Sequence, residues 1–346
     1  MLEGFLPSGI ALIIGLAVGA ILMAAYGYNA WLAYKAMFSG AFGTAYDLME
    51  TLSFAVPLML TGVTFAVGLR AGLFNIGAEG QLYMGAIGAV IAGALIPLPA
   101  GVHLVFTTMV AMLFGLAWSI VPAILKVTRG VHEVISTIMF NWIAFYLAMY
   151  LALYHLAEPG RAEKTYSVLE TARYGLLMKG TSLTTVLFVA LIFNVAVHLF
   201  LNQTKMGYEL RLYGSNPDAA RFAGVSERRV IITSFLIGGL AAGLAGASQI
   251  QGRPPTWALY GTLGNISGLG FDGIGVALIG RNHPIGIILA SIFVGALKHG
   301  GRYMEYQAGV YSELVEAITG LIIIALAVPE VVDFIRRYRI KRKVRV

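Results

Sequence analysis

Apolar runs of membrane-crossing length recur along nearly the whole of this chain, and they constrain its fold more than any motif does. A bilayer core takes a helix of about 20 apolar residues. Candidate spans lie at residues 8–27, 51–69, 80–96, 102–125, 132–156, 183–201, 230–250, 263–280, 284–300 and 311–329. Of 346 residues, 58% are hydrophobic and 12% charged, whereas an ordinary soluble domain carries about 25% charged residues. The chain therefore reads as an integral membrane protein throughout rather than a soluble domain on one anchor. The fold class expected is all-α: a polytopic membrane helical bundle of about ten spans. Residues 1–335 form a single transmembrane domain with a cytoplasmic loop at 202–229, and residues 336–346 form a basic cytoplasmic tail. Pro57, Pro122 and Pro284 fall in or at the edge of spans, which predicts kinks or broken helices, and the bundle is expected to hold broken or re-entrant helices.

The net charge of +7 is unevenly placed. The tail RRYRIKRKVRV holds Arg336, Arg337, Arg339, Lys341, Arg342, Lys343 and Arg345 and no acid. Directly after an apolar span, this reads as a positive-inside topology signal that touches anionic lipid, rather than a nucleic-acid arm. Segment 202–229 carries Lys205, Arg211, Arg221, Arg228 and Arg229. Four spans separate it from the tail, so both fall on the cytoplasmic side. Loop 157–182, with Arg161, Lys164, Arg173 and Lys179, is then outside. The N-terminus lacks a basic n-region and a small-residue cleavage site, so it reads as a retained first span.

Enzyme chemistry finds little support. With no cysteine, disulfides, thiolate metal sites and cysteine nucleophiles are excluded. No P-loop, H-E-x-x-H or G-x-S-x-G is present. The six histidines are scattered, and His103, His198 and His283 read as packing or interfacial residues because a metal site needs converging ligands. Gly239 and Gly243 form a G-x-x-x-G pair, extended by Gly246 and Ala247, which predicts a closely packed interior helix.

Two stretches hold the polar interest. In NQTKMGYELRLYGSNPDAARFAGVSERR, Asn216 suits an N-cap, Pro217 the first helical position and Asp218 the positive end of the helix dipole. Gly224 suits the C-terminal turn. A short helix over 217–223 is expected, exposing Ala219, Ala220 and the aromatic knob Phe222, the shape of a helix laid in a partner's groove. The alternative is a solvated loop that caps neatly. In GLFNIGAEGQLYMGA, Asn75, Glu79 and Gln81 interrupt two apolar runs. Either residues 70–81 are a solvated cytoplasmic turn between two spans, or they are a helix break near the membrane midplane that lines a solute route, where glycines permit irregular backbone. Glu79 is also able to pair with Arg70 or cap a broken helix without meeting any solute.

Taken together, AGLFNIGAEGQLYMGA, GYELRLYGSNPDAARFAGV, GGLAAGLAGA and FDGIGVALIGRNHPIGIILASIFVGAL resemble the permease subunits of ABC importers of the branched-chain amino acid and simple sugar group. Within that group the chain is most similar to nucleoside permeases linked to basic-membrane-protein type receptors. The resemblance runs from about residue 50 to 328. It implies a multi-pass permease of the prokaryotic cell membrane with a cytoplasmic C-terminus, one half of a channel paired with a second homologous permease. ATP and Mg are implied in separate cytoplasmic ABC ATPase subunits, with no cofactor and no metal on this chain, and a lipoprotein or periplasmic receptor delivers the small-molecule solute. Residues 215–226 match the family's coupling helix, so Asn216, Pro217, Ala220, Arg221 and Gly224 are implied to dock the ATPase. The resemblance also favours a pathway role for the first break. Asn75 and Gln81 would bond ribose hydroxyls or base edges, while Phe74 or Tyr83 would stack on a base. Asn265, Ser267 and Asp272, between small residues, read as a counterpart break in a repeat-built transporter. The function implied is ATP-driven import of nucleosides by alternating access. The alternatives are import of simple sugars such as ribose, a proton-coupled secondary transporter working through Glu79, and an intramembrane enzyme using Glu79 and Asp272 as acid and base.

Overall fold

The structure is a computed structural model that describes the backbone of residues 5–343 and the side chains of residues 12–327. It is a bundle of helices: α1 (Phe5–Ala25), α2 (Ala30–Phe42), α3 (Ala45–Arg70), α4 (Ala78–Leu95), α5 (Val102–Arg129), α6 (Glu133–Tyr154), α7 (Val186–Gln203), α8 (Lys205–Ser215), α9 (Pro217–Phe222), α10 (Glu227–Ile250), α11 (Leu269–Ile279), α12 (Pro284–Ala308) and α13 (Ser312–Lys343). Among the described residues, seven helices are long and apolar enough to cross a membrane: α3, α4, α5, α6, α7, α10 and α12. The all-α polytopic class expected from the apolar runs is therefore the class observed. The basic side chains of the tail lie outside the described residues.

The ends of these helices are chosen by side chains that satisfy free backbone N–H groups. Thr44 Oγ1 accepts from Asp47 N at 3.2 Å at the start of α3, and Ser226 Oγ accepts from Arg229 N at 3.5 Å at the start of α10. Pro284 opens α12 at a position where its missing N–H costs nothing. Burial then sorts the helices by depth in the bundle. The apolar window of α3 is 89% buried, while those of α5 and α6 are 28% buried. α3 is therefore interior, and α5 and α6 turn most of their surface toward lipid.

Close glycine contacts seat α10 between α4 and α5. A methyl group on Gly85 of α4 would come 2.6 Å from Gly243 Cα. On Gly115 of α5 it would come 2.5 Å from Gly239 O. The small face expected of Gly239, Gly243 and Gly246 is thus in backbone-to-backbone contact on both sides, as such faces allow.

Four features differ from the sequence expectation, the first being that α3 and α5 run on as helices through Pro57 and Pro122 without a break. The proposed span 263–280 is helical only over Leu269–Ile279, 11 residues, which at 1.5 Å per residue is about half of a bilayer core. The chain before it, 251–268, is irregular, because Pro254, Pro255 and closely spaced glycines deny it a helix. α2, a 13-residue helix packed along α12, was not anticipated, being too short to register as a span. A small antiparallel hairpin, β1 (Ala157–Glu158) and β2 (Arg161–Thr165), was also not anticipated; it lies in loop 157–182 at the end of the bundle opposite α9. These two ends are called the hairpin end and the α9 end.

Candidate functional site

α3 stops at Arg70 because Gly72 takes a φ of +72° and Leu73 N returns to Gly68 O at 2.9 Å. An irregular stretch follows until α4 begins at Ala78. Asn75, Glu79 and Gln81 are only 1%, 2% and 1% exposed. A solvated turn is incompatible with that burial. Within the break, Asn75 Oδ1 accepts from Gly77 N at 3.0 Å and from Gln81 Nε2 at 3.4 Å. Asn141 of α6 stitches it from the side, donating to Ile76 O at 2.9 Å and accepting from Gly80 N at 2.9 Å. The sequence reading missed Asn141, although an amide inside an apolar span is itself a signal. Asn75 Nδ2 and Gln81 Oε1 are left buried without a hydrogen-bond partner.

Glu79 does not face the aqueous ends of the bundle. Its carboxylate accepts the Tyr83 hydroxyl at 2.5 Å, Gly268 N at 2.5 Å and Gly270 N at 2.6 Å. Gly268 and Gly270 are the opening of α11, where exposed N–H groups and the helix dipole favour a negative charge. The capping alternative weighed for Glu79 thus has a definite geometry, but the capped helix is the distant α11 rather than its own. Ser267 Oγ lies 3.2 Å from the Tyr83 hydroxyl, so Glu79, Tyr83 and Ser267 form one cluster. Thr61 of α3 adds a bond to Leu269 O at 2.9 Å. Asp272 sits apart, ion-paired with Lys298 of α12 at 2.7 Å. Asn265 shapes its own loop, accepting from Tyr260 N at 3.1 Å and donating to Ala258 O at 3.0 Å. Phe74 is half-exposed and meets Phe65 edge-on at 6.1 Å, while the buried Tyr83 ring packs on Phe145 at 5.9 Å.

At the α9 end, Asn216 Oδ1 accepts from Asp218 N and Ala219 N, both at 3.1 Å, and Gly224 closes the turn at a φ of +77°. The short helix therefore forms where the capping residues placed it. One expectation is corrected: Ala220 is fully buried, packed among Leu210, Tyr213, Val230 and Phe235, because the helical period turns it inward. Ala219 remains exposed, and Phe222 is 96% exposed. Arg221 is held by Glu227 at 2.6 Å, and Tyr213 donates to the same carboxylate at 2.7 Å. Burial, reinforced by that neighbouring carboxylate, pushes the Tyr213 hydroxyl up to about 12.

α8 and α9 rest directly on the first break. Ala71 and Leu73 belong to the same apolar cluster as Leu210 and Ala220, and Gly214 of α8 is in backbone contact with Arg70–Gly72. A continuous line of contact thus runs from α9 through the break to Glu79 and on to α11.

Residues 48–327 match the family described as "Branched-chain amino acid transport system / permease component". The chain is 39% identical over 331 residues to the guanosine ABC transporter permease protein NupP of Bacillus subtilis, covering 94% of each chain. It is 32% identical to the nucleoside ABC transporter permease protein NupB of Lactococcus lactis, covering 94% of this chain and 91% of that one. To the glucose ABC transporter permease protein TsgB13 of Haloferax volcanii it is 34% identical, covering 94% and 87%. With its polytopic helical bundle and this match over most of its length, the chain belongs to the branched-chain amino acid transport system permease family.

Proposed function

We propose that this permease forms one half of the channel of an ATP-driven importer of nucleosides, paired with a second homologous permease. The observation that carries the reading is the contact line from the exposed Phe222, through the buried break, to the Glu79-anchored α11. Such a line lets an event outside the membrane reach helices inside it. On this reading α9 lies in the cytoplasm and docks an ABC ATPase, which holds the ATP and Mg; the permease itself carries no cofactor. ATP binding closes the ATPase pair, moves α9 and shifts the bundle between outward-open and inward-open states. The free energy comes from differential affinity for ATP in those states.

The hairpin end then receives the receptor. A cavity of about 450 Å³ beside Arg228 and Arg229 opens near α9, and one of about 950 Å³ opens at the hairpin end, walled by Glu158, Arg161, Lys164, Thr256 and Tyr260. The second carries charged side chains on its wall and is large enough for a nucleoside, within the usual range of about 300–1,000 Å³ for ligand sites. Asn75 and Gln81, with their unpartnered atoms, are assigned to the solute route, with Phe74 at its edge. Nucleosides are preferred because NupP and NupB are named for them, and both cover nearly the whole chain. Simple sugars are the second reading, favoured by the similarity to TsgB13, which is named for glucose. The test is uptake of labelled guanosine, adenosine, ribose and glucose by vesicles carrying the complete complex. ATP-dependent sugar uptake without nucleoside uptake would overturn the nucleoside assignment.

A further inference from the structure

A second group of polar side chains lies in the hairpin half of the bundle, where α3, α12 and the chain leaving α10 meet. Phe54 of α3 is buried there, with the guanidinium carbons of Arg253 and Arg302 over its ring at 4.5 and 4.8 Å. Neither guanidinium is ion-paired among the described residues. Arg253 is steadied by Gln249 Oε1 at 3.3 Å, whereas Arg302 is exposed. His299, one turn before Arg302, stacks on Phe54 at 6.1 Å and is 5% exposed. Neither of its ring nitrogens has a hydrogen-bond partner, and Asp47 Oδ1 stands 3.6 Å from Nε2. Glu50, the nearby acid, is engaged by the Ser182 N–H.

Packing alone explains this arrangement poorly. Two like charges on one ring repel each other, and buried unbonded imidazole nitrogens cost free energy. A ligand with a flat π face and acceptors on its edge removes both defects. The geometry points to a nucleobase site: the base stacks on Phe54 in place of Arg302, which folds over its outer face, while Arg253 donates to the base edge and His299 completes the bonding. Arg302 is the movable member because it is exposed, and Arg253 is the fixed one. The paired donors of the Arg253 guanidinium match the adjacent O6 and N7 acceptors of guanine. A sugar offers no π face, so the site distinguishes nucleosides from hexoses.

This inference rests on the nucleoside reading, and one experiment separates the two. Guanosine and ribose uptake are measured in proteoliposomes holding the complete transporter with its receptor. In the wild type, ribose uptake without guanosine uptake overturns the nucleoside reading, and the base site falls with it. Given guanosine uptake, Phe54→Leu and Arg253→Gln are expected to raise the guanosine KM about tenfold or more, the loss of one base stack or one bidentate contact. Phe54→Trp keeps a stacking face and is expected to stay near wild type. An unaltered KM in Phe54→Leu and Arg253→Gln, or a Phe54→Trp as impaired as Phe54→Leu, overturns the base site alone. Arg253→Gln supplies the readout if Phe54→Leu fails to assemble.

Discussion

Glu79 accepts the backbone N–H of Gly270 at 2.6 Å, joining the start of α4 to the start of α11 across 191 residues of chain. Removing the carboxylate by Glu79→Ala strands two backbone donors inside the bundle and leaves the Tyr83 hydroxyl with Ser267 alone. The expected loss is about 3 kcal/mol or more, at about 1–3 kcal/mol for each stranded group. Glu79→Gln keeps an acceptor but turns an amide N–H toward donors, so it should fall between the two. Thermal unfolding in detergent reads the order; equal midpoints for all three proteins would remove the anchoring role.

Gly214→Ala tests the contact between α8 and the break. The added methyl would run into Arg70 O and come 2.8 Å from Gly72 N. Overpacking of this kind costs about 1–3 kcal/mol. The expected result is a stable protein whose uptake falls about tenfold while the assembled complex still hydrolyses ATP. Uptake and hydrolysis that remain coupled as in the wild type would show that the contact transmits nothing.

Two neighbours on α9 should fail for different reasons. Phe222→Ala leaves the fold intact and is expected to weaken ATPase binding about thirtyfold, the cost of an aromatic anchor. Ala220→Glu forces a carboxylate into the cluster under α9, so the protein itself should accumulate poorly. Co-purification of the ATPase with each variant, alongside expression level, separates the outcomes. Full ATPase recovery with Phe222→Ala would rule out the knob as the docking contact.

His283 predicts a response to acid. Burial first, then the neighbouring His198 ring at 4.8 Å and Arg70, hold its pKa below the ordinary histidine value. The folded protein therefore favours the neutral ring. Its contribution to stability is full above the unfolded pKa of about 6.5 and is lost as pH falls through that value toward the depressed folded one. His283→Asn should flatten the decline of the unfolding midpoint between about pH 7 and 5; an undiminished decline would assign it to other groups.

Local chemistry was legible in the sequence and remote chemistry was not. Apolar length marked most crossings, and Asn216, Pro217 and Gly224 marked α9, because capping acts on the next few residues. The inward turn of Ala220 follows from the helical period once the direction of the bundle is known. The partners of Glu79 were invisible because two of them are backbone N–H groups, which every residue but proline carries. Phe54 and Arg253 were unremarkable in a sequence that places them far apart, and only the packing of α3 against the chain after α10 brings them together. α11 was misjudged in length because an apolar run sets what a segment tolerates, not whether its backbone is helical.

The glycine seam between α10 and its neighbours has a mechanical consequence. Where a single methyl on Gly85 or Gly115 would meet opposing backbone at 2.6 or 2.5 Å, the helices have no side-chain cushion on which to slide. α4, α5 and α10 are therefore expected to travel as one stiff block through the transport cycle. The strain of each stroke falls on its borders, and the pliable joints are the unwound stretches at 71–77 and 251–268.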